Sequence, residues 1–380
     1  MKAMSVLLLC GGRSMEHQVS LLSVQSVLQA IDRSKFRVEV IGITPTGEWR
    51  YYPQAGKTPF AAESFLSAAN DPNTIALLDR GYQSVALLPA EKRGVIALFD
   101  AQGTLKDFLQ PEVVFPVMHG SFAEDGKMQG LLEMLDVAYV GPDVLSSALA
   151  MDKSISKSLF LQAKIPVAPY LELEADQKPP TFLEVKKSLA LPLFVKPANA
   201  GSSVGVSKVE TEAEWKKALN EAFLYDRKIL IEQGIKGREL ECSVLGNRDT
   251  LRAGEVGEVN ADPKHGFYSY AAKYLDENGA ELSIPANIPN NIRQQVRKLA
   301  VKAAKVLQVE GLSRVDFFWR EDGEILVNEI NTLPGFTKIS MYPKLMMETG
   351  MSYAEVVETL IEAACARKKR QAALHFFVEK

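Results

Sequence analysis

Five consecutive apolar residues, Val6 to Cys10, run straight into Gly11-Gly12, and from Glu16 to Ile31 the apolar positions recur at helical spacing. A strand that stops on a glycine turn and hands over to a helix opens an α/β unit. A second run, Arg37 to Ile43, ends at Thr44-Pro45, and a third, Val113 to Met118, ends at His119-Gly120. Strands alternating with helices predict a parallel sheet, whose ligand crevice lies beyond the strand carboxyl ends. Gly11-Gly12, Glu16 and His119 all fall at that edge. The stretch from Tyr51 to Gln110 has weaker periodicity and more Pro, Gly, Ala and Asp, and reads as an elaboration of this first, Rossmann-like part, residues 1–142.

Gly141-Pro142-Asp143 marks a boundary. A second part, residues 143–236, holds helical segments from Val144 to Ala163 with Asp152 as a cap, an apolar strand from Leu191 to Pro197, and a β-branched strand from Lys228 to Glu232. Its glycine-serine loop, Gly201-Ser202-Ser203-Val204-Gly205, sits between strands. The third part, residues 237–380, contains two strands, a glycine- and aromatic-rich loop from Asn260 to Glu281, a helix from Asn290 to Leu307, a hairpin and a closing helix. The basic run Arg367-Lys368-Lys369-Arg370 reads as the solvated end of that helix, where cations suit the dipole, and not as a nucleic-acid patch.

At 380 residues the chain has room for two or three domains. Its 44 Lys and Arg against 47 Asp and Glu leave a net charge of -3, so no global basic field draws it to nucleic acid or an anionic membrane. A small ligand is expected. Cys10, Cys242 and Cys365 are far apart and lack metal-ligand spacing, which fits a reduced, cytoplasmic protein. No stretch approaches the roughly 20 apolar residues of a membrane span, and the apolar run at the start is too short for a signal segment. His17, His119, His265 and His375 are scattered, against a histidine-rich metal site.

The densest chemistry lies between Arg314 and Asn331. Arg314 to Trp319 and Ile325 to Asn331 are strand-like runs around Asp322-Gly323, a favoured two-residue hairpin turn. Counting outward from that turn sets Glu321 opposite Glu324, Asp316 opposite Glu329 and Arg314 opposite Asn331. Direct cross-strand partners lie about 4.5 to 5.5 Å apart at Cβ, and two carboxylates that close call for a cation between them. Oxygen donors without cysteine or histidine specify a hard ion such as Mg²⁺. A surface hairpin neutralised by Arg314 is the bland alternative, but apolar residues on both faces argue that this sheet is covered on both sides. Asn328 falls on the apolar side of the count, a mismatch.

Carboxylates around a metal suggest a nucleotide. The Gly201 to Lys208 spacing is not that of a P-loop, and Gly11-Gly12-Arg13-Ser14 lacks the dinucleotide-binding pattern. The glycine-serine loop is either an ordinary hairpin turn or a cradle of backbone N–H groups over phosphates. Lys196 interrupts an apolar strand where an unpaired ammonium is costly, and Lys153 follows a helix cap where the dipole disfavours cations, so both answer to an anion.

Gly11-Gly12-Arg13-Ser14-Met15-Glu16-His17-Gln18-Val19-Ser20, His119-Gly120 with Glu124-Asp125-Gly126, Met151-Asp152-Lys153, Gly201 to Lys208, and Asn328-Glu329-Ile330-Asn331-Thr332-Leu333-Pro334-Gly335-Phe336 together carry a resemblance. The chain resembles the D-alanine:D-alanine ligases of the ATP-grasp superfamily from about residue 4 to 360, in the expected order. The resemblance implies a three-domain ATP-grasp fold, α/β and α+β, acting on D-alanine and ATP with two Mg²⁺ (or Mn²⁺) ions in a cytoplasmic homodimer. It implies an ATP site at Lys153, Lys196, Ser203, Glu232, Gln233, Ile235, Glu239, Lys273 and Asn328, and metal ligands at Asp316, Glu329 and Asn331. It places Glu16 at the first substrate's ammonium group, and Arg314 and the backbone N–H of Gly335 at the developing oxyanion. His119, Ser340 and Met341 fall among substrate contacts. The resemblance further implies that Tyr274, Ser202 and Glu16 form a hydrogen-bonded lock on a closing loop, Phe267 to Tyr274. Relatives that join D-alanine to D-lactate or D-serine are the nearest rival, and a nucleotide sensor that has lost catalysis is the rival from another class.

Overall fold

The computed structural model describes residues 3–53, 82–89, 94–261 and 280–374. Its first sheet holds β1 (Met4–Gly11), β2 (Phe36–Ile43), β3 (Trp49–Tyr51), β4 (Gln83–Leu88), β5 (Val95–Phe99), β6 (Leu105–Leu109), β7 (Val113–Pro116) and β8 (Ala138–Tyr139), in the order β6-β5-β4-β3-β2-β1-β7-β8. The strands from β2 to β8 across β1 and β7 are parallel, as the alternation with helices predicts. From β3 to β6 the sheet is antiparallel, so it is mixed and not wholly parallel. The reason is local. Tight turns at Gly47 and Gly103, both at positive φ, join β2 to β3 and β5 to β6, and strands joined that closely can only reverse direction.

The crossover helix His17–Ala30 buries Leu21, Val24 and Val27 on the sheet, and with them two serines, Ser20 and Ser23. Ser20 is a strut: its hydroxyl accepts from the Gly11 N–H at 2.7 Å and donates to the Val117 carbonyl at 2.5 Å, tying the ends of β1 and β7 together.

The second sheet is antiparallel, β9 (Tyr170–Glu174), β10 (Leu193–Pro197), β11 (Ser207–Val209) and β12 (Lys228–Gln233), in the order β11-β10-β12-β9. The third comprises β13 (Gly237–Gly246), β14 (Arg252–Ala261), β15 (Ala280–Ser283), β16 (Gly311–Arg320) and β17 (Ile325–Asn331), in the order β15-β14-β13-β16-β17. The helix Asn290–Val306 covers this third sheet through Ile292, Val296 and Ala300.

The cores bridge the sequence divisions at 142/143 and 236/237. Asp143 and Asp152 cap two short helices, Val144–Met151 and Lys153–Gln162, whose Ala150 and Phe160 sink into the core of the third sheet. The closing helix Tyr353–Ala372 returns to the first sheet and buries Val356, Val357, Leu360 and Ile361 there. This corrects the reading of its basic end as solvated at Arg367, while Lys369 and Arg370 are exposed as expected. Arg367 is buried, donates to the carbonyls of Gly141 and of Tyr139 (2.8 Å), and stacks over the Tyr139 ring. Lys368 pairs with Asp136, and Arg370 with Glu310 at 2.6 Å.

Candidate active site

The hairpin β16–β17 brings the carboxylates together as counted, by a different route. Its loop has three residues, not two: the Arg320 N–H reaches the Glu324 carbonyl at 2.9 Å and Gly323 sits at φ 90°, the turn-plus-glycine arrangement common in three-residue hairpins. Glu324 therefore faces Arg320 and not Glu321. The register then shifts between Asp316 and Phe317. Phe317 pairs with Val327 and Asp316 with Glu329, leaving Asn328 as the extra residue of a β-bulge. The bulge cancels the longer loop, so Asp316 does face Glu329 and Arg314 does face Asn331. It also accounts for the Asn328 mismatch: Asn328 lines the cleft, and its buried Oδ1 has no hydrogen-bond partner among the described residues.

Arg314 grips Asp316 through two 2.7 Å hydrogen bonds and reaches Glu241 at 2.9 Å. Burial opposes the guanidinium charge, but Asp316 and Glu241 outweigh it and hold its pKa well above the ordinary value. The Asn331 amide donates to Asp316 at 3.0 Å, and Lys153 lies 3.3 Å from Glu329. Among the described residues no three His, Cys, Asp or Glu side chains form a metal cage. The donor set is two carboxylates and the amide oxygen of Asn331, whose nitrogen already faces Asp316. Such a set suits a hard cation that takes its remaining ligands from phosphate and water.

Facing this hairpin across a cleft of about 310 Å³ are Lys153, Lys196 and the glycine-serine loop. Lys153 donates to the Ala200 carbonyl at 2.7 Å, fixing its ammonium at the root of the loop. The loop does join antiparallel strands, β10 and β11, with Ser202 and Ser203 both at positive φ, a conformation non-glycine residues adopt at a cost.

Lys196 is not unpaired. Its ammonium lies 2.6 Å from Glu232, whose other oxygen is 3.1 Å from Lys157, a fully buried lysine that sequence reasoning missed. Burial disfavours the Glu232 charge, yet the two lysines prevail and hold its pKa below the ordinary range. The Glu232 side chain is thus turned to the lysines, leaving its backbone for any hinge role. Gln233, Ile235 and Glu239 line the same cleft. The N–H of Gln233 is taken by the Pro169 carbonyl and its side-chain oxygen by the Ala190 N–H.

At the far end of the cleft Glu16 accepts a 2.6 Å hydrogen bond from Ser202, joining the first sheet's edge to the loop. Gly120 makes room for it: at φ 71°, a Cβ there would fall 2.3 Å from the Glu16 carboxylate. Glu124, which sequence reasoning did not single out as a site residue, accepts from the Gly120 N–H at 2.8 Å. Burial first, and the nearby Glu16 second, push its pKa up to about 8.

His119 is engaged on both ring nitrogens within the protein. Nδ1 lies 2.7 Å from the Leu333 carbonyl and Nε2 2.8 Å from the Ser23 hydroxyl, which also accepts from the Phe336 N–H at 3.2 Å. Of the two neutral tautomers, only the one with Nδ1–H donating and Nε2 accepting from Ser23 satisfies all three contacts. Burial supports it by pulling the imidazole pKa down. The geometry makes His119 a holder of the 333–336 turn, which carries Gly335, rather than a group with a free nitrogen for substrate. Tyr353 clasps the same turn from the closing helix, at 2.5 Å from the Phe336 carbonyl.

Ser340 stands just before the short helix Met341–Met347, and its hydroxyl turns back to that of Thr337 at 2.7 Å and does not cap the helix. The Met341 side chain is buried against Val259 and Leu345, so only its backbone is left to face a ligand. Lys273, Tyr274 and the rest of the expected closing loop lie outside the described residues.

Two family models match the chain, "D-ala D-ala ligase N-terminus" over residues 5–142 and "D-ala D-ala ligase C-terminus" over residues 159–362. A D-alanine--D-alanine ligase of Shouchella clausii is 46% identical over 365 residues, covering 96% of this chain and 95% of the relative. The solved D-alanine-D-alanine ligase of Coxiella burnetii superposes with a TM-score of 0.82 at 31% identity, covering 98% of this chain and 97% of that one. The VanG D-Ala:D-Ser ligase of Enterococcus faecalis gives 0.83 at 33% identity, covering 96% and 100%.

Proposed function

Since this chain belongs to the D-alanine–D-alanine ligase family, we propose that it uses ATP to join two molecules of D-alanine through a D-alanyl phosphate. An oxygen of the first D-alanine carboxylate attacks the γ-phosphorus, and the bond to the bridging oxygen of ADP breaks. The amine of the second D-alanine then attacks the acyl carbon, the nitrogen loses a proton, and phosphate leaves.

Both steps gather negative charge, and the cleft supports them with cations and N–H donors. Lys153 and Lys196 serve the phosphates with Ser203 and the loop backbone. The backbone from Glu232 to Ile235 seats the base, and Glu239 meets the ribose. Glu16, held by Ser202, receives the first ammonium group. Arg314 and the Gly335 N–H steady the tetrahedral oxyanion, a task in which one donor is worth about 10²–10³ in rate. Asp316, Glu329 and Asn331 would hold two Mg²⁺ or Mn²⁺ ions, which supply charge neutralisation at the phosphates. Ser340 and the Met341 backbone meet the second carboxylate. Lys273 and Tyr274 close the site against water, and the working form is a cytoplasmic homodimer.

The convergence of Lys153 and Lys196 with the Asp316–Glu329 pair on one cleft carries this reading. Likeness to a D-Ala:D-Ser ligase keeps the acceptor open to test. With D-alanine labelled by ¹⁸O in its carboxylate, one ¹⁸O is expected in the released phosphate. Unlabelled phosphate would rule out the acyl phosphate, and a mixed product favoured over D-alanyl-D-alanine under competition with D-serine or D-lactate would reassign the acceptor.

A further inference from the structure

Lys157 has no place in that mechanism. It lies one turn after Lys153 on the helix Lys153–Gln162, is fully buried, and is not among the residues lining the cleft. Its ammonium pairs with Glu232 at 3.1 Å. Stability alone does not explain it, because buried ion pairs are commonly replaced by apolar residues at little loss.

The arithmetic of the cluster points elsewhere. Glu232 is shared by Lys157 behind it and Lys196 at the cleft, on opposite oxygens. Two lysines and one glutamate leave one positive charge, and Lys196 is the member on the cleft wall with Glu232 beside it. Without Lys157, Lys196 and Glu232 would form a closed neutral pair, and an incoming anion would meet a buried carboxylate as well as an ammonium. Among the described residues, Lys196 on β10, Glu232 on β12 and, farther off, Glu329 on β17 are the charges that act on the Lys157 ammonium.

We propose that Lys157 is a positioning residue for nucleotide binding: it neutralises Glu232 from behind and so leaves the Lys196 charge free to face phosphates. The inference rests on the reading of Lys196 as a phosphate contact.

The test is calorimetric binding of ATP and of adenosine to the full chain in the presence of Mg²⁺. Lys157→Met should weaken ATP about tenfold, with adenosine within about twofold of wild type, and should raise KM for ATP more than it lowers kcat. Adding Glu232→Gln should restore most of the ATP affinity, since Lys196 is again uncompensated. A purely structural Lys157 predicts no such rescue. ATP affinity in Lys157→Met equal to wild type, or a double variant no tighter than the single, overturns the proposal. Should the single variant not fold, the double variant decides alone, wild-type-like affinity supporting the proposal and a tenfold loss overturning it. Lys196→Met separates the premise: if it leaves ATP binding unchanged, the phosphate role of Lys196 falls and the inference with it, whereas a loss in Lys196→Met without one in Lys157→Met removes only the inference.

Discussion

Ser23→Ala tests whether the oxyanion turn is held from the first sheet. The Ser23 hydroxyl is buried and bridges His119 Nε2 at 2.8 Å and the Phe336 N–H at 3.2 Å. Removing it leaves one acceptor and one donor without a partner, at about 1–3 kcal/mol each. The turn at residues 333–336 can recover part of that only by moving, and Gly335 is the residue next to Phe336. Complete loss of an oxyanion donor lowers kcat by about 10²–10³, so a displaced one should lower it about tenfold to a hundredfold. KM for ATP should stay within about twofold, because the lysines and the hinge lie on the other side of the cleft. Ser23→Thr, which keeps the hydroxyl, should recover most of the rate. The assay is steady-state phosphate release with ATP and D-alanine varied in turn. A kcat within twofold of wild type, or a loss shared equally with KM for ATP, would refute the reasoning.

Other perturbations have equally definite outcomes. Gly120→Ala places a methyl 2.3 Å from the Glu16 carboxylate at a positive φ, so KM for D-alanine should rise about tenfold or more, equivalent to about 1.4 kcal/mol, and an unchanged KM would contradict the placement of Glu16. Glu124 has a pKa raised on folding to about 8. The native state therefore keeps a proton that the unfolded chain releases, and this group erodes stability as pH rises from about 4.5 to about 8. Glu124→Gln keeps the Gly120 contact without that titration, so its Tm relative to wild type should climb between pH 5 and pH 8.5; a constant difference would count against the shift. Arg367→Ala strips two buried carbonyls of their donor and should destabilise the fold by about 2–3 kcal/mol, read as a lower Tm with KM for ATP unaltered. Removing divalent ions with a chelator should abolish turnover, and Mg²⁺ or Mn²⁺ should restore it.

The parallel core of the first sheet and the metal-facing hairpin were legible because strand alternation and glycine turns act locally. The hairpin count reached the right pairs through two offsetting errors, a loop one residue longer and a bulge at Asn328. A polar residue on an apolar register was the visible sign of that bulge. At the far edge of the antiparallel half, β6 escaped because it is exposed along most of its length, so burial imposes little alternation on it. Ser20, Ser23 and Lys157 escaped because polar residues on a helix read as a solvated face unless the partner opposite is known. For Lys157 there was a signal, its spacing of four from Lys153, which puts both on one helix face. Arg367 was hidden in a basic run whose neighbours do reach outward. His119 was found as a site residue, but its neutral, fully engaged ring depends on Ser23 and Leu333, distant in sequence and brought together only by the fold.

Mass spectrometry of the product formed from ATP, Mg²⁺ and either D-alanine or L-alanine, with phosphate release followed in parallel, tests the account most directly. D-alanyl-D-alanine, formed with one phosphate per dipeptide and only from the D enantiomer, is the predicted result. ATP binding without turnover of D-alanine, or equal use of L-alanine, would contradict it.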